Sequence, residues 1–102
     1  MKTPPWKIER SDEFVRWYRS LNEHQAKSVD RVLDLLEQAG PSLGPPHVED
    51  AQDPKHPGLK YLHIPCKGKP VHIPVAPDPK GLSDMVVAGG STPSDDWEPT
   101  SS

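Results

Sequence analysis

Gly40-Pro41-Ser42-Leu43-Gly44-Pro45-Pro46-His47-Val48 divides the chain into two halves of different physical character. Two amphipathic helix patterns precede it, and a proline-dense region follows it. Gly accepts the left-handed conformation that ends a helix, and a proline directly after it cannot continue one. Ten of the fourteen prolines fall between Pro41 and Pro79. That half therefore cannot hold long helices, and its strands are expected to be short, bulged or at sheet edges.

Toward the N-terminus, Trp6-Lys7-Ile8-Glu9 alternates apolar and polar residues, the pattern of a short strand. Ser11 is suited to cap a helix, with Asp12 and Glu13 placed where carboxylates favour the helix dipole. Phe14, Trp17, Tyr18 and Leu21 then form one apolar stripe, which is read as core. Asn22 and Gln25 have the spacing of a capping box opening a second helix. Its stripe is Ala26, Val29, Leu33 and Leu36, widened by Val32, Leu35 and Ala39. With only Leu21-Asn22 between them, the helices must form a tight antiparallel hairpin.

Toward the C-terminus, Pro41 to Gly58 reads as a linker anchored by Leu43 and Val48. Three strands are expected at Leu59–Ile64, Val71–Ala76 and Asp84–Ala88, with turns at Lys67-Gly68 and Pro77–Gly81. The fold class is α+β: a short N-terminal strand, a two-helix hairpin and a three-stranded antiparallel meander packed on the helices. Residues 1–88 form a single domain in this reading. Residues 89–102 have the composition of a flexible C-terminal tail, with Trp97 either an anchor or unstructured.

Composition narrows the function classes. A chain of 102 residues is one small domain, and Leu, Ile, Val and Phe make up roughly a fifth of it, so the core must be small. The net charge of −3 argues against general attraction to nucleic acid. The charge is uneven, however: residues 54–80 hold Lys55, Lys60, Lys67, Lys69 and Lys80 against the single acid Asp78. The lone Cys66 excludes an internal disulfide and fits a reducing compartment. Neither a membrane span nor a secretory signal is visible, so a soluble cytoplasmic protein is expected.

The chain resembles HigB-type toxins of the phage-related subgroup, within the RelE-like superfamily of ribosome-dependent mRNA endonucleases. The resemblance runs from Trp6 to about Trp97. It rests on Trp6…Phe14-x-x-Trp17-Tyr18…Leu21, on Gly40-Pro41-Ser42-Leu43-Gly44 with Pro46-His47-Val48, and on His56-Pro57-Gly58-Leu59-Lys60. Asp78-Pro79 and Gly89-Gly90 also stand where the family has an Asp-Pro turn and a glycine pair. Departures gather in the half that carries the family's chemistry. Tyr61-Leu62-His63 replaces Glu-Leu-Arg, His72-Ile73-Pro74 replaces an Arg-led strand, and Ser91-Thr92 replace Asp-Lys. Asp95-Asp96-Trp97-Glu98 matches an acidic-Trp end motif without the tyrosine that follows it in the family.

His63 and His72 are the sharpest local feature, each opening a His-Ile-Pro triplet. A turn at Lys67-Gly68 pairs residues whose numbers sum to 135, so His63 faces His72. Two imidazoles on one face can work as acid and base near neutral pH. The expected site is a weakened, pH-dependent RNA site with catalytic His63 and His72 and phosphate contacts at Lys60, Lys67, Lys69 and Lys80. Two surface histidines on a drifted strand are the plain alternative. His63, Cys66 and His72, with His56 recruited, form a weak metal-ligand reading that matches no standard zinc spacing. Cys66 lacks a catalytic partner at a recognisable spacing.

The resemblance implies the toxin of a type II toxin–antitoxin pair, a metal-independent endoribonuclease needing no cofactor. Its implied partners are a cognate antitoxin and the ribosome with its mRNA. The alternative is a catalytically inactive toxin-like module that holds an antitoxin or RNA.

Overall fold

A computed structural model describes residues 5–67, 71–89 and 97–100. Strand β1 (Ile8–Arg10) leads through Ser11 into helix α1 (Asp12–Arg19). The Ser11 hydroxyl accepts from the Phe14 amide at 3.1 Å, as the capping pattern predicts. Helix α2 (Glu23–Ala39) opens with the complete Asn22/Gln25 capping box. It ends at Gly40, whose φ of 58° lies in the region that favours glycine. Gly40–Ser42 forms a single 3-10 turn. Tyr18 donates to the Asp30 carboxylate at 2.9 Å and ties the two helices together.

The second half holds strands β2 (Val48–Asp50), β3 (Lys60–Ile64), β4 (Cys66–Lys67), β5 (Val71–Pro77), β6 (Met85–Val87) and β7 (Glu98–Pro99). The expected meander is present as β3, β5 and β6, each antiparallel to the next. It is only part of the sheet, which has five strands in the order β1-β6-β5-β3-β2 and is mixed. Strand β1 runs parallel to β6, and β2 lies antiparallel on β3. A separate two-stranded pair joins β4 to β7. The expectation of three strands beside an N-terminal one is thus corrected. Val48-Glu49-Asp50 has one buried apolar residue and two exposed acids, too few to display alternation. It becomes a strand because β3 needs hydrogen-bond partners on its outer side: His63 donates to the His47 carbonyl at 2.8 Å, and Ala51 to that of Leu59 at 3.1 Å.

The prolines of β5 also depart from the sequence expectation, since β5 lies inside the sheet between β6 and β3. Alternation of the ladder points the Pro74 nitrogen toward β6 and the Pro77 nitrogen toward β3. Each meets its neighbour where that strand has ended: Pro74 pairs opposite Ala88, past Val87, and Pro77 lies beyond Lys60. Pro74 still serves as an acceptor, taking the Ala88 amide at 3.0 Å. No ladder bond between described strands is forfeited.

One face of the sheet packs on the helices. Phe14, Val29, Val32, Leu33 and Leu36 meet Leu62, Ile64, Val71, Ile73, Val75 and Val87 in a single core. Leu35, expected in the helix stripe, is 38% exposed instead. Trp97 belongs to the core and is only 5% exposed. Its carbonyl accepts from the buried Gln25 side chain at 2.8 Å, so the capping residue of α2 also holds the segment carrying β7. Residues 90–96 and 101–102 of the expected tail, including Asp95 and Asp96, lie outside the described residues.

Candidate functional site

Strand alternation assigns Tyr61 and His63 of β3, His72, Pro74 and Ala76 of β5, Val86 of β6, Glu49 of β2 and Glu9 of β1 to the sheet face away from the helices. Their neighbours Leu62, Ile64, Val71, Ile73 and Val75 fill the core. One side of β3 and β5 is thus anchored by apolar burial, and this fixes which way the polar side points.

His63 pairs directly with His72. The register equals the one the sequence predicts, with Ile64 opposite Val71 and Lys60 opposite Val75. Because β3 bonds to β2 through Tyr61 and His63, the 63/72 pair is a non-hydrogen-bonded one with respect to β5, the kind that brings side chains closest. The imidazole centroids are 4.5 Å apart and the rings meet edge to face at 83°. The Tyr61 ring stands 5.9 Å from that of His72. Glu49 places Oε2 3.4 Å from His63 Nε2, an ion pair whenever His63 carries a proton. That nitrogen is buried and has no hydrogen-bond partner among the described residues. The carboxylate that covers it is on a side chain 60% exposed, which is free to rotate.

Burial lowers the His72 pKa below the ordinary 6.5, the nearby His63 lowers it further, and Glu49 partly opposes them. His72 is therefore neutral at physiological pH and able to accept a proton. The depressed value also couples to stability. Between the folded value and 6.5 the unfolded chain binds more protons, so this contribution is complete above pH 6.5 and lost as pH falls through the folded pKa. An NMR titration of the full chain should put the His72 midpoint below 6.5 and move it upward in His63→Gln. An unchanged midpoint in that variant would disprove the coupling.

The lysines do not gather around the histidines. Lys60 lies on the helix-side face of β3 by alternation and sits 4.0 Å from Asp50. Lys67 is exposed on β4, opposite Glu98. Lys80 follows β5 in the Asp78 turn, where its amide donates to the Asp78 carboxylate at 2.9 Å. Lys69 lies outside the described residues. Among the described residues, no cluster of three or more His, Cys, Asp or Glu side chains is placed to hold a metal ion. His56, a candidate fourth ligand in sequence, bonds to Asp53 at 2.9 Å in an exposed loop. No helix among the described residues is long and apolar enough to cross a membrane.

Beside the histidines the same face continues into an open groove of about 550 Å³. Pro74, Ala76, Val86 and Ala88 line it, with Glu9, Asp12 and Lys80 around it. The sequence reading missed Glu49, Tyr61 and this groove. Only the β2 pairing brings Glu49 to His63, and only the five-strand order brings Glu9 beside Val86 and Ala76.

A protein of Mycobacterium tuberculosis named HigB3, described as a candidate toxin, is 35% identical over 74 residues, covering 72% of this chain and 63% of that protein. A second protein of that organism, HigB2, with the same description, is 31% identical over 74 residues, covering 72% of this chain and 37% of its own length. The match therefore spans less than two thirds of either relative. No family model matches the chain, and no solved structure does.

Proposed function

We propose that this chain, a homologue of the HigB-type toxins, is the toxin of a type II toxin–antitoxin pair and cleaves mRNA in the ribosome. The observation that carries the reading is the imidazole pair, 4.5 Å between centroids, on the sheet face away from the helices. Cleavage by the RNA's own 2′-hydroxyl needs one group to take the hydroxyl proton and another to protonate the departing 5′-oxygen. His72, neutral at physiological pH, takes the proton as the 2′-oxygen bonds to phosphorus. His63, paired with Glu49 when protonated, donates to the 5′-oxygen as its bond to phosphorus breaks. The products are a 2′,3′-cyclic phosphate and a 5′-hydroxyl. Glu49 must swing aside for an RNA oxygen to reach Nε2. The partners in this reading are a cognate antitoxin, the ribosome and its mRNA, in the cytoplasm.

Charge stabilisation is the weak part of the site. One charge-stabilising donor is typically worth about two to three orders of magnitude in rate. Lys60 is near Asp50 on the other face, and Lys67 and Lys80 lie on β4 and in the Asp78 turn rather than beside the imidazoles. That observation favours a second reading, a toxin-like module that binds an antitoxin or RNA without cutting. Induced expression without an antitoxin separates the two. Growth arrest with translation-dependent mRNA fragments is expected of the nuclease. Normal growth at a high level of folded protein would leave only the binding module.

A further inference from the structure

Gln25 uses the two ends of its side-chain amide for different tasks. Its Oε1 accepts from the Asn22 amide at 3.0 Å and completes the capping box, whereas its Nε2 donates to the Trp97 carbonyl at 2.8 Å. The side chain is buried, so water offers the carbonyl no ready substitute for that donor. Beyond Trp97 the chain runs beside β4, with Glu98 opposite Lys67 and Pro99 opposite Cys66. The Thr100 amide then donates to the Pro65 carbonyl at 3.0 Å. The segment 97–100 therefore reaches from the first turn of α2 to a residue two positions past His63.

That end of the hairpin carries the imidazoles. His63 and His72 are the last outward-facing pair of the β3–β5 ladder, and only the inward pair Ile64 and Val71 follows it. Hydrogen-bonded elements open from their ends, so fraying reaches this outward pair before Tyr61 and Pro74. We propose that the segment 97–100, latched by Gln25, clamps the end of the β3–β5 hairpin and holds His63 and His72 in their facing position. Gln25 is then a positioning residue of the site. The effect on cleavage rests on the nuclease reading and adds to it a role for the C-terminal segment. Burial of the Trp97 indole alone fixes that segment at one point. The bonds to Gln25 and to Pro65 fix it at both ends, which ties the hairpin to the start of α2.

Gln25→Glu separates this role from the cap. A glutamate there still accepts from the Asn22 amide, but an ionised carboxylate has no hydrogen to offer the Trp97 carbonyl. In the full chain the Thr100 amide should exchange with solvent about tenfold faster, the size of one lost buried hydrogen bond. The His72 midpoint should rise toward 6.5 as burial is reduced and His63 recedes. On programmed ribosomes kcat should fall about tenfold to a hundredfold at unchanged KM, because a misplacement of about 1 Å is that costly. Ser11→Ala is the comparison, since it weakens the cap of α1 without touching the clamp, and it should leave all three readouts as in wild type. Thr100→Pro removes the amide bonded to Pro65 and keeps the Gln25 bond, so it should repeat the rise in midpoint and the fall in kcat even if Gln25→Glu does not fold. Wild-type values of both in Thr100→Pro, or the same losses in Ser11→Ala, overturn the clamp and leave the nuclease reading intact. The exchange and titration readouts need no cleavage. A wild type that cuts no mRNA therefore removes the nuclease reading, while those two still decide the clamp.

Discussion

His63→Ala and His72→Ala should each lower the rate of mRNA cleavage by about two orders of magnitude or more, the usual range for loss of a positioned acid or base. The effect should be similar for the two because the proposed mechanism gives each one end of the same proton relay. Combining them should cost little beyond the single losses, since residues acting as a unit are not additive. Neither change threatens the fold greatly. His63 and His72 face away from the core, and their neighbours Leu62, Ile64, Val71 and Ile73 hold the strands in register. A cleavage defect with an unchanged melting temperature is the expected signature. Glu49→Gln should be milder, because its carboxylate supports His63 from 3.4 Å and must also move away.

The largest effect on stability should come from Gly40→Ala. Gly40 combines φ 58° with ψ −139°, a conformation close to glycine-only, and forcing another residue into such a region costs about 1–3 kcal/mol. An added Cβ would also land within the Trp6 indole, which packs directly on this glycine. Overpacking of that kind costs about 1–3 kcal/mol more. Trp6 cannot easily withdraw, since its amide donates to the Glu37 carbonyl at 2.7 Å and fixes the segment before β1 on α2. The sum, about 3 kcal/mol or more, corresponds to a fall of roughly 15 °C in melting temperature for a domain of this size. Gly44→Ala is the control: nothing lies within 4 Å of a Cβ there, and no positive φ is involved. A melt of Gly40→Ala within a few degrees of wild type would show that the Trp6–Gly40 contact does not hold the fold.

These two sites also mark what the sequence made legible. Ser11, Asn22 with Gln25, and Gly40 are local signals, since caps and stops act within one helical turn, and the structure has each of them in use. The 63/72 register was legible for a related reason: two alternating segments close in sequence leave few ways to keep their apolar sides together, although Lys67 of the expected turn lies in β4 and Gly68 outside the described residues. Non-local pairing left no such trace. The parallel contact between β1 and β6 joins residues more than seventy positions apart, and β2 shows only Val48 as an apolar residue. Trp97 docks through a polar side chain, Gln25, whose visible role is to cap a helix. The scatter of the lysines has a different cause. Alternation alone assigns Lys60 to the face of Leu62, away from His63, whereas grouping residues by charge ignores that parity.

The most direct measurement is the rate of mRNA cleavage on programmed ribosomes against pH, for wild type, His63→Ala and His72→Ala. Wild type should lose rate along an acid limb below 6.5, where His72 takes up its proton and stops serving as base. The His72 variant should lose that limb, whereas the His63 variant should keep an acid limb at a rate about two orders of magnitude lower. Equal rates for all three proteins, or a wild-type profile flat across this range, would contradict the claim that the paired imidazoles carry the chemistry.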